Sequence, residues 1–351
     1  MRDQDLSEPI RQQVLEAIAA RRPLRIVGND SKAFYGGDCE ATARLETAGH
    51  SGIIDYEPSE LVLTARAGTT LARIASLLAQ HKQMLAFEPP SFGGQATLGG
   101  SIACGFSGPR RPFAGSARDF MLGCKVVNGN GELLNFGGRV MKNVAGFDVS
   151  RLMVGALGSL GVLLDISLRV LPMPEAELTL AYSLPADAAL TMMTALAARP
   201  WPLSALAYDG QQLRVRLSGA AAAVQAAARQ LDGEVDLYGD TFWLELREQQ
   251  LAFFQQPGDL WRISLAPATP PLALIGDCLL DWGGALRWLK TAQPADSVHA
   301  AAAQAGGHAI CFRGADKTDW IRLDPALLAL QQNIRSAFDP LKLFNPGRLQ
   351  R

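Results

Sequence analysis

The sequence predicts an α+β fold built from two parts. Short apolar strands alternate with amphipathic helices in the first half of the chain, and Pro172 and Pro174 separate it from an alanine-rich second half. The chain has 351 residues, of which 48% are apolar and 19% are charged, and this is enough for two hydrophobic cores. We therefore expect a first domain over residues 1–173, a smaller α+β domain over 174–330 and a C-terminal segment over 331–351.

Each predicted element follows from a local pattern. Apolar residues that recur every three to four positions indicate helices, and short apolar runs between glycines indicate strands. A Ser or Thr before a helical run indicates a cap, and Gly-Asn-Gly between two strands indicates a hairpin. The predicted elements are, in chain order, a helix capped by Ser7, a strand over 24–27, a strand over 61–67, a helix capped by Thr69 or Thr70, a hairpin over 125–136, a strand over 162–170, and helices over 188–198 and 220–231.

Charge and cysteine usage exclude several classes of protein. The chain has 33 basic and 34 acidic residues without a basic block, so it lacks the positive footprint that nucleic acid requires. Its five cysteines form no C-x-x-C pair, and we therefore expect no zinc, no iron–sulfur cluster and no other metal. The first residues are polar, and no apolar stretch reaches the roughly 18 to 20 residues that span a bilayer. We expect a cytoplasmic protein, and peripheral attachment to the inner membrane through a partner stays open.

Three glycine-rich segments carry the functional signal: residues 28–32, 93–105 and 137–161. Glycine lets the backbone approach a ligand closely, so that successive N–H groups converge on anionic oxygens. One such loop is as consistent with a simple turn, but three in one domain, with hydroxyls at Ser31 and Thr97, favour a ligand. The loops match neither the G-x-G-x-x-G nucleotide fingerprint nor the phosphate-binding P-loop. The residues alone therefore predict a large anionic cofactor of unspecified identity.

In their order along the chain, these segments resemble the FAD-binding proteins of the PCMH, or vanillyl-alcohol oxidase, type. The resemblance covers about residues 10–173 and the C-terminal tail. It rests on the loop after the first strand, a P-x-x-x-G-x-x-T-x-G-G-like segment, an R-D-x-x-x-G element, a short glycine pair and the closing F-N-P-G. The matching segments are 26–32, 89–103, 118–123, 142–148, 158–162 and 339–347.

The resemblance implies a PCMH-type domain of two α/β subdomains, a small α+β cap domain over 174–330 and a tail over 331–351 that returns to the flavin. It implies that backbone N–H groups of two loops hold the FAD diphosphate, that Gly161 and Val162 lie against the flavin, and that Asn345 approaches the isoalloxazine ring. Because the first loop offers Asp30 and Ser31 where covalent members have histidine, we expect non-covalent FAD. The cofactor-binding residues implied in this way are Gly28, Asn29, Asp30, Ser31, Lys32, Pro89, Thr97, Gly99, Gly100, Gly105, Asp119, Gly161, Val162 and Asn345.

Further segments resemble the FAD-binding subunits of multi-subunit bacterial glycolate oxidases. They include residues 108–112, 141–146, 281–288 and 344–348. This resemblance implies an enzyme complex that oxidises glycolate, a 2-hydroxy acid, to glyoxylate. It also implies a larger flavin subunit and an iron–sulfur subunit as partners, the latter receiving the electrons.

A catalytic base is missing from these motifs. Oxidation of a 2-hydroxy acid needs a group that takes the hydroxyl proton, usually histidine, and arginines that hold the carboxylate. Of His50, His81, His299 and His308, none belongs to an H-x-x-H or H-x-H pattern, and His308 is the one we consider for function. The catalytic residues therefore stay unknown, and we hypothesise that a homologous partner oxidises the substrate.

Two alternatives stay open, an autonomous FAD-dependent 2-hydroxy-acid dehydrogenase and a flavin-free structural subunit. Arg110 and Arg111 are candidates for ligand or partner binding, or they are solvated arginines on a loop.

Overall fold

The computed structural model describes residues 3–138 and 149–349. The helices are α1 Ser7–Ala19, α2 Leu71–Gln80, α3 Leu98–Cys104, α4 Arg111–Ala114, α5 Ala117–Phe120, α6 Val149–Leu152, α7 Ala186–Ala197, α8 Ala221–Leu231, α9 Gly239–Glu248, α10 Ala252–Gln255, α11 Ala295–Gln304 and α12 Pro325–Phe338. The strands are β1 Leu24–Val27, β2 Ala43–Glu46, β3 Ile53–Glu57, β4 Val62–Arg66, β5 Gln83–Met84, β6 Met121–Val127, β7 Leu133–Gly137, β8 Val162–Arg169, β9 Leu171–Pro172, β10 Ala176–Ser183, β11 Leu203–Tyr208, β12 Gln212–Gly219, β13 Glu234–Val235, β14 Asp259–Ser264, β15 Asp277–Asp281, β16 Leu286–Thr291 and β17 His308–Arg313.

The chain divides into two compact units. Unit 1 contains residues 1–106, 116–172 and 323–351, and unit 2 contains 107–115 and 173–322. Nine residues of the first half thus belong to unit 2. Arg110 fixes this short segment there, because its guanidinium donates to Glu177 at 2.6 Å and to Ser218 at 3.1 Å.

Unit 1 contains a five-stranded antiparallel sheet and a separate parallel pair. The sheet has the order β3-β4-β8-β6-β7, and β1 pairs in parallel with β2. Apolar residues at helical spacing in α1 pack against both, and the buried side chain of Phe344 joins the same core. The core residues are Ile10, Val14, Ala17, Leu24, Leu45, Val127, Val162, Leu164 and Phe344.

Unit 2 is built on one eight-stranded antiparallel sheet. Its order is β13-β10-β12-β11-β15-β16-β14-β17, and the apolar faces of α7 and α8 pack on it. None of the helices in the described ranges 3–138 and 149–349 is long and apolar enough to cross a membrane.

Most of the local predictions for unit 1 are confirmed, with one exception. The hairpin forms between β6 and β7, and Thr70 caps α2 by accepting a hydrogen bond from the Arg73 amide at 3.3 Å. The predicted cap at Ser7 is wrong. Ser7 lies inside the first turn of α1, and its own amide donates to the Asp5 carboxylate at 2.9 Å. That bond is also the main reason why the pKa of Asp5 is lowered to about 2.

Candidate functional site

A cleft in unit 1 brings together the loop after β1, the start of α3, the turn before β8 and the C-terminal turn. It has about 780 Å³ of empty space, part of which is open to solvent. Ten of the fourteen predicted cofactor-binding residues line it: Gly28, Asn29, Asp30, Ser31, Lys32, Thr97, Gly99, Gly100, Gly161 and Asn345.

The loop after β1 presents a row of backbone donors. The amides of Gly28, Asn29, Asp30 and Ser31 donate to no other group among the described residues. Asp30 has a φ of +56°, in the left-handed region that turns the chain sharply and draws successive amides towards one side. Such a set of backbone N–H donors is suited to bind anionic oxygens.

Charge in the cleft is predominantly positive. Among the described residues, three cationic side chains line it, Arg25, Lys32 and Arg348, against one carboxylate, Asp30. Arg25 donates to Asp30 at 2.7 Å, while Lys32 is 6% exposed and its ammonium lies 3.4 Å from the Ser31 hydroxyl. A ligand with two negative charges matches this excess of cations.

The start of α3 forms a second wall, but its first amides are already used. Gly99 donates to the Ala67 carbonyl at 2.7 Å, Leu98 to the Thr69 carbonyl at 2.8 Å, and Gly100 to the Thr97 hydroxyl at 3.3 Å. Three of the four amides of residues 97–100, the expected diphosphate donors, therefore already have acceptors within the chain, whereas the four amides of the loop 28–31 have none among the described residues.

Glycines at this wall are required by close packing. A Cβ on Gly28 would lie 2.4 Å from the Thr97 hydroxyl oxygen, and one on Gly99 would lie 2.7 Å from the Cβ of Ala67. A side chain at Gly28 would push the loop after β1 away from α3, and one at Gly99 would push α3 away from Ala67.

The C-terminal turn closes the cleft through Asn345. Its side-chain oxygen accepts from the Ile26 amide, and its side-chain nitrogen donates to the Leu157 carbonyl, both at 2.7 Å. Asn345 thus lines the cleft, and its carboxamide bonds to backbone on both sides. Arg348 extends this tie by donating to the Lys32 and Ala33 carbonyls.

Four predicted residues do not line the cleft. Val162 begins β8 with its side chain in the core, although the adjacent Gly161 is at the cleft. Gly105 ends α3 in a left-handed conformation, with φ +66°. Asp119 completes a capping box at α5 by accepting from the Ser116 amide at 2.7 Å and from its hydroxyl at 2.8 Å. Pro89 is half-buried, and the segment 142–148 lies outside the described residues.

Several cleft residues were not predicted from the sequence. Arg25 is a strand residue without a motif, and Arg348 follows the closing F-N-P-G segment. Cys104, at the end of α3, also lines the cleft, and burial raises the pKa of its thiol against the opposing charges of Lys32 and Arg348. Arg25 and Arg348 each lie beside a predicted motif, and an arginine in that position is the sequence signal that could have identified them.

None of the four histidines lines the cleft. His50 is fully buried, accepts from the Leu6 amide at 2.9 Å and lies 3.4 Å from Asp165. His299 contacts the Asp319 carbonyl at 3.0 Å, His81 packs edge-on against Tyr56, and His308 is an exposed residue at the start of β17. Among the described residues, no group of three or more His, Cys, Asp or Glu side chains is suited to hold a metal ion.

FAD fits this donor set. Four unused amides, the hydroxyls of Ser31 and Thr97 and an excess of positive charge suit its diphosphate, and apolar side chains such as Leu157 and Leu163 suit a flat ring system. The loop 28–32 carries neither histidine nor cysteine, the residues to which a flavin could be bonded.

Comparison with known proteins agrees with this geometry. Residues 8–137 match the FAD binding domain family. A solved structure of alkyldihydroxyacetonephosphate synthase superposes with a TM-score of 0.67 at 14% identity, covering 97% of this chain and 74% of the other. This likeness concerns the fold alone. Cleft and fold together define a flavoprotein of the PCMH type.

The particular family follows from a full-length match. The chain is 46% identical over 349 residues to the glycolate oxidase subunit GlcE of Escherichia coli, covering 99% of both chains. It is also 33% identical to the glycolate oxidase subunit GlcD of Bacillus subtilis and 30% to a D-lactate dehydrogenase of Anaerostipes hadrus, over 36% of this chain in each case and 27% and 26% of the relatives. The chain belongs to the family of glycolate oxidase subunit GlcE, an FAD-binding family of oxidoreductase subunits.

Proposed function

We propose that this chain is the FAD-binding subunit of a glycolate oxidase complex, which oxidises glycolate to glyoxylate and passes the electrons to an iron–sulfur partner. The observation that carries the proposal is the 46% identity to a glycolate oxidase subunit over 99% of both chains. The second partner is a larger flavin subunit related to GlcD, and any attachment to the inner membrane runs through the assembled complex.

The loop Gly28–Lys32 binds the FAD diphosphate in this proposal. Its four unused amides donate to the phosphate oxygens, and Lys32 and Arg348 balance their charge. Thr97, Gly99 and Gly100 shape the opposite wall, and Gly161 allows the flavin to approach the backbone beside β8. Bound FAD would supply this subunit with a two-electron redox centre.

Substrate oxidation takes place at the homologous flavin partner in this proposal. In the part of the chain that the structure describes, the titratable side chains at the cleft are Arg25, Asp30, Lys32, Cys104 and Arg348, and Asp30 is engaged by Arg25. This set contains no uncommitted base that could take the hydroxyl proton, because burial raises the pKa of the Cys104 thiol and keeps it protonated. The dehydrogenase-type relatives match about a third of the chain, which supports a shared flavin domain more than a shared substrate site.

The first test is the visible spectrum of the purified chain, followed by acid precipitation. We expect flavin absorbance in the native protein and free FAD in the supernatant, because the first loop lacks a residue for covalent attachment. A protein that stays colourless with excess FAD would contradict the cofactor site.

The second test concerns catalysis. We expect the FAD-loaded chain to reduce an artificial dye with glycolate at a negligible rate, and the rate to appear when the large flavin and iron–sulfur subunits are added. Enzyme-like dye reduction by the chain alone would instead support an autonomous 2-hydroxy-acid dehydrogenase.

A further inference from the structure

Unit 2 contains an apolar cavity that the proposed function does not use. It lies on the helix-covered face of the eight-stranded sheet, beside α7, and has about 610 Å³ of empty space, part of which is open to solvent. Cross-strand neighbours form its floor, since Ile263 and Leu280 both pair with Arg287, and Cys278 pairs with Leu289. Its lining residues are Ala186, Leu190, Tyr208, Ile263, Pro271, Leu272, Leu274, Gly276, Cys278, Leu280, Arg287 and Leu289.

Arg287 is the one cation among these lining residues, and it is 3% exposed. Its guanidinium forms no ion pair with a carboxylate anywhere in the described part of the chain. It donates instead to the carbonyls of Pro270 at 2.7 Å, Gly284 at 3.5 Å and Thr269. A guanidinium carries five N–H donors, so these three acceptors leave two of them available.

A buried charge without a counter-ion is costly, and burial lowers the pKa of Arg287 accordingly. Proteins normally compensate such a charge with a carboxylate or a bound anion. The other side chains that line the cavity contain no acid that could do so.

The loop over residues 269–276 forms the roof of the cavity. Arg287 holds one end of this loop. The other end is held at Ile275, whose carbonyl accepts a hydrogen bond from the Thr291 hydroxyl and whose amide donates to the Gln293 side chain, both at 2.7 Å. Pro271, Leu272 and Leu274 line the cavity from this loop. The loop therefore offers an apolar cover that is tied to the sheet at its two ends.

We propose that this cavity binds a monocarboxylate with a short apolar chain, whose carboxylate pairs with Arg287 and whose chain packs under the roof loop. The forked guanidinium with two remaining donors suits the two oxygens of a carboxylate. The apolar floor and roof suit a hydrocarbon chain and favour it over a small polar acid such as glycolate, whose hydroxyl would find no partner among these apolar side chains.

Calorimetric titration of the full chain with octanoate tests this proposal, with hexanoate, octan-1-ol and glycolate as comparison ligands. We expect octanoate to bind, hexanoate to bind on the order of tenfold more weakly because it lacks two methylenes, and the neutral alcohol and glycolate to bind at least that much more weakly. No binding of octanoate, or equal affinity for octanoate and octan-1-ol, would overturn the proposal.

Two sets of variants locate the binding. Arg287→Met should weaken octanoate binding by about tenfold or more, and Arg287→Lys should retain part of it. Since Arg287 also anchors the roof loop, Ala186→Phe is a second test, because it places a ring at the exposed cavity edge and keeps the arginine. Ala195→Phe, on an exposed part of α7 outside the cavity, is its control and should bind as the parent chain does. Unchanged binding in Ala186→Phe would show that octanoate binds elsewhere and would refute the site.

Discussion

A single side chain, that of Thr97, contacts both walls of the flavin cleft. Its hydroxyl caps α3 by accepting from the Gly100 amide at 3.3 Å, and the same oxygen packs against Gly28 in the loop after β1. Helix capping and the approach of the two walls therefore depend on one oxygen atom.

Thr97→Ala should reduce both stability and flavin content. Loss of the cap costs about 1 kcal/mol of unfolding free energy, and the cleft loses a contact that sets its width. Thermal unfolding and the flavin-to-protein absorbance ratio measure the two effects. Thr97→Ser keeps the oxygen and is the matched control, so a Thr97→Ala protein that behaves like Thr97→Ser would contradict this role.

The alkylation rate of the Cys104 thiol should show whether the cleft is occupied. Because burial raises the pKa of its thiol above the usual value of 9.0, little thiolate exists near neutral pH, and alkylation should accelerate as the pH rises through and beyond that value. Bound FAD should slow this alkylation at every pH. Peptide mass spectrometry measures it, with Cys278 as the internal control.

Cys278 is exposed and belongs to unit 2, outside the flavin cleft. FAD should leave its alkylation unchanged. Equal protection of both cysteines by FAD would argue against a cofactor site confined to the cleft of unit 1.

At the scale of elements, helix ends decide which polar residues are available to a ligand. The acid of the R-D-x-x-x-G element, Asp119, is used to cap α5, and the first amides of α3 are used by carbonyls of the loop after β4. The loop after β1 is followed by a turn in place of a long helix, and its amides stay available.

Asp119→Ala separates the structural role from a cofactor role. We expect a loss of about 1 kcal/mol in unfolding free energy, because the capping box at Ser116 is broken, while the flavin content after reconstitution stays that of the parent chain. Asp119→Asn keeps an acceptor oxygen and should lose less stability. A large loss of flavin without a loss of stability would restore Asp119 as a cofactor ligand.

At the scale of the whole molecule, the two units hold the two candidate sites separately. The cleft proposed for FAD is formed within unit 1, where residues from opposite ends of the chain meet. The apolar cavity proposed for a monocarboxylate is formed within unit 2. A ligand that binds the folded form of one unit stabilises that unit, so local unfolding within it becomes rarer.

Hydrogen exchange with and without FAD should reflect this division. The amides of residues 28–31 have no acceptor among the described residues, so they should exchange quickly in the apoprotein and slow most strongly when FAD binds. Exchange in β12 of unit 2 should stay the same. Slowing that spreads evenly over both units, or that spares residues 28–31, would contradict the proposed diphosphate site.

The sequence by itself determined the features that arise between near neighbours. The strand-loop at residues 24–32, the Thr70 cap, the hairpin around Gly129 and the glycines and hydroxyls of the cleft follow from patterns a few residues long. The order of these motifs was specific enough to indicate FAD and the protein family.

Only the tertiary structure decided which of these residues act together. Asn345 reaches Ile26 across 319 positions, Arg348 joins the cleft from the end of the chain, and residues 107–115 pack with the second unit. Asp119 and the amides of α3 proved to be committed to caps and nearby carbonyls. Local spacing carries no information on such partners, because a hydrogen-bonding group is satisfied by whatever the folded chain brings within about 3 Å of it.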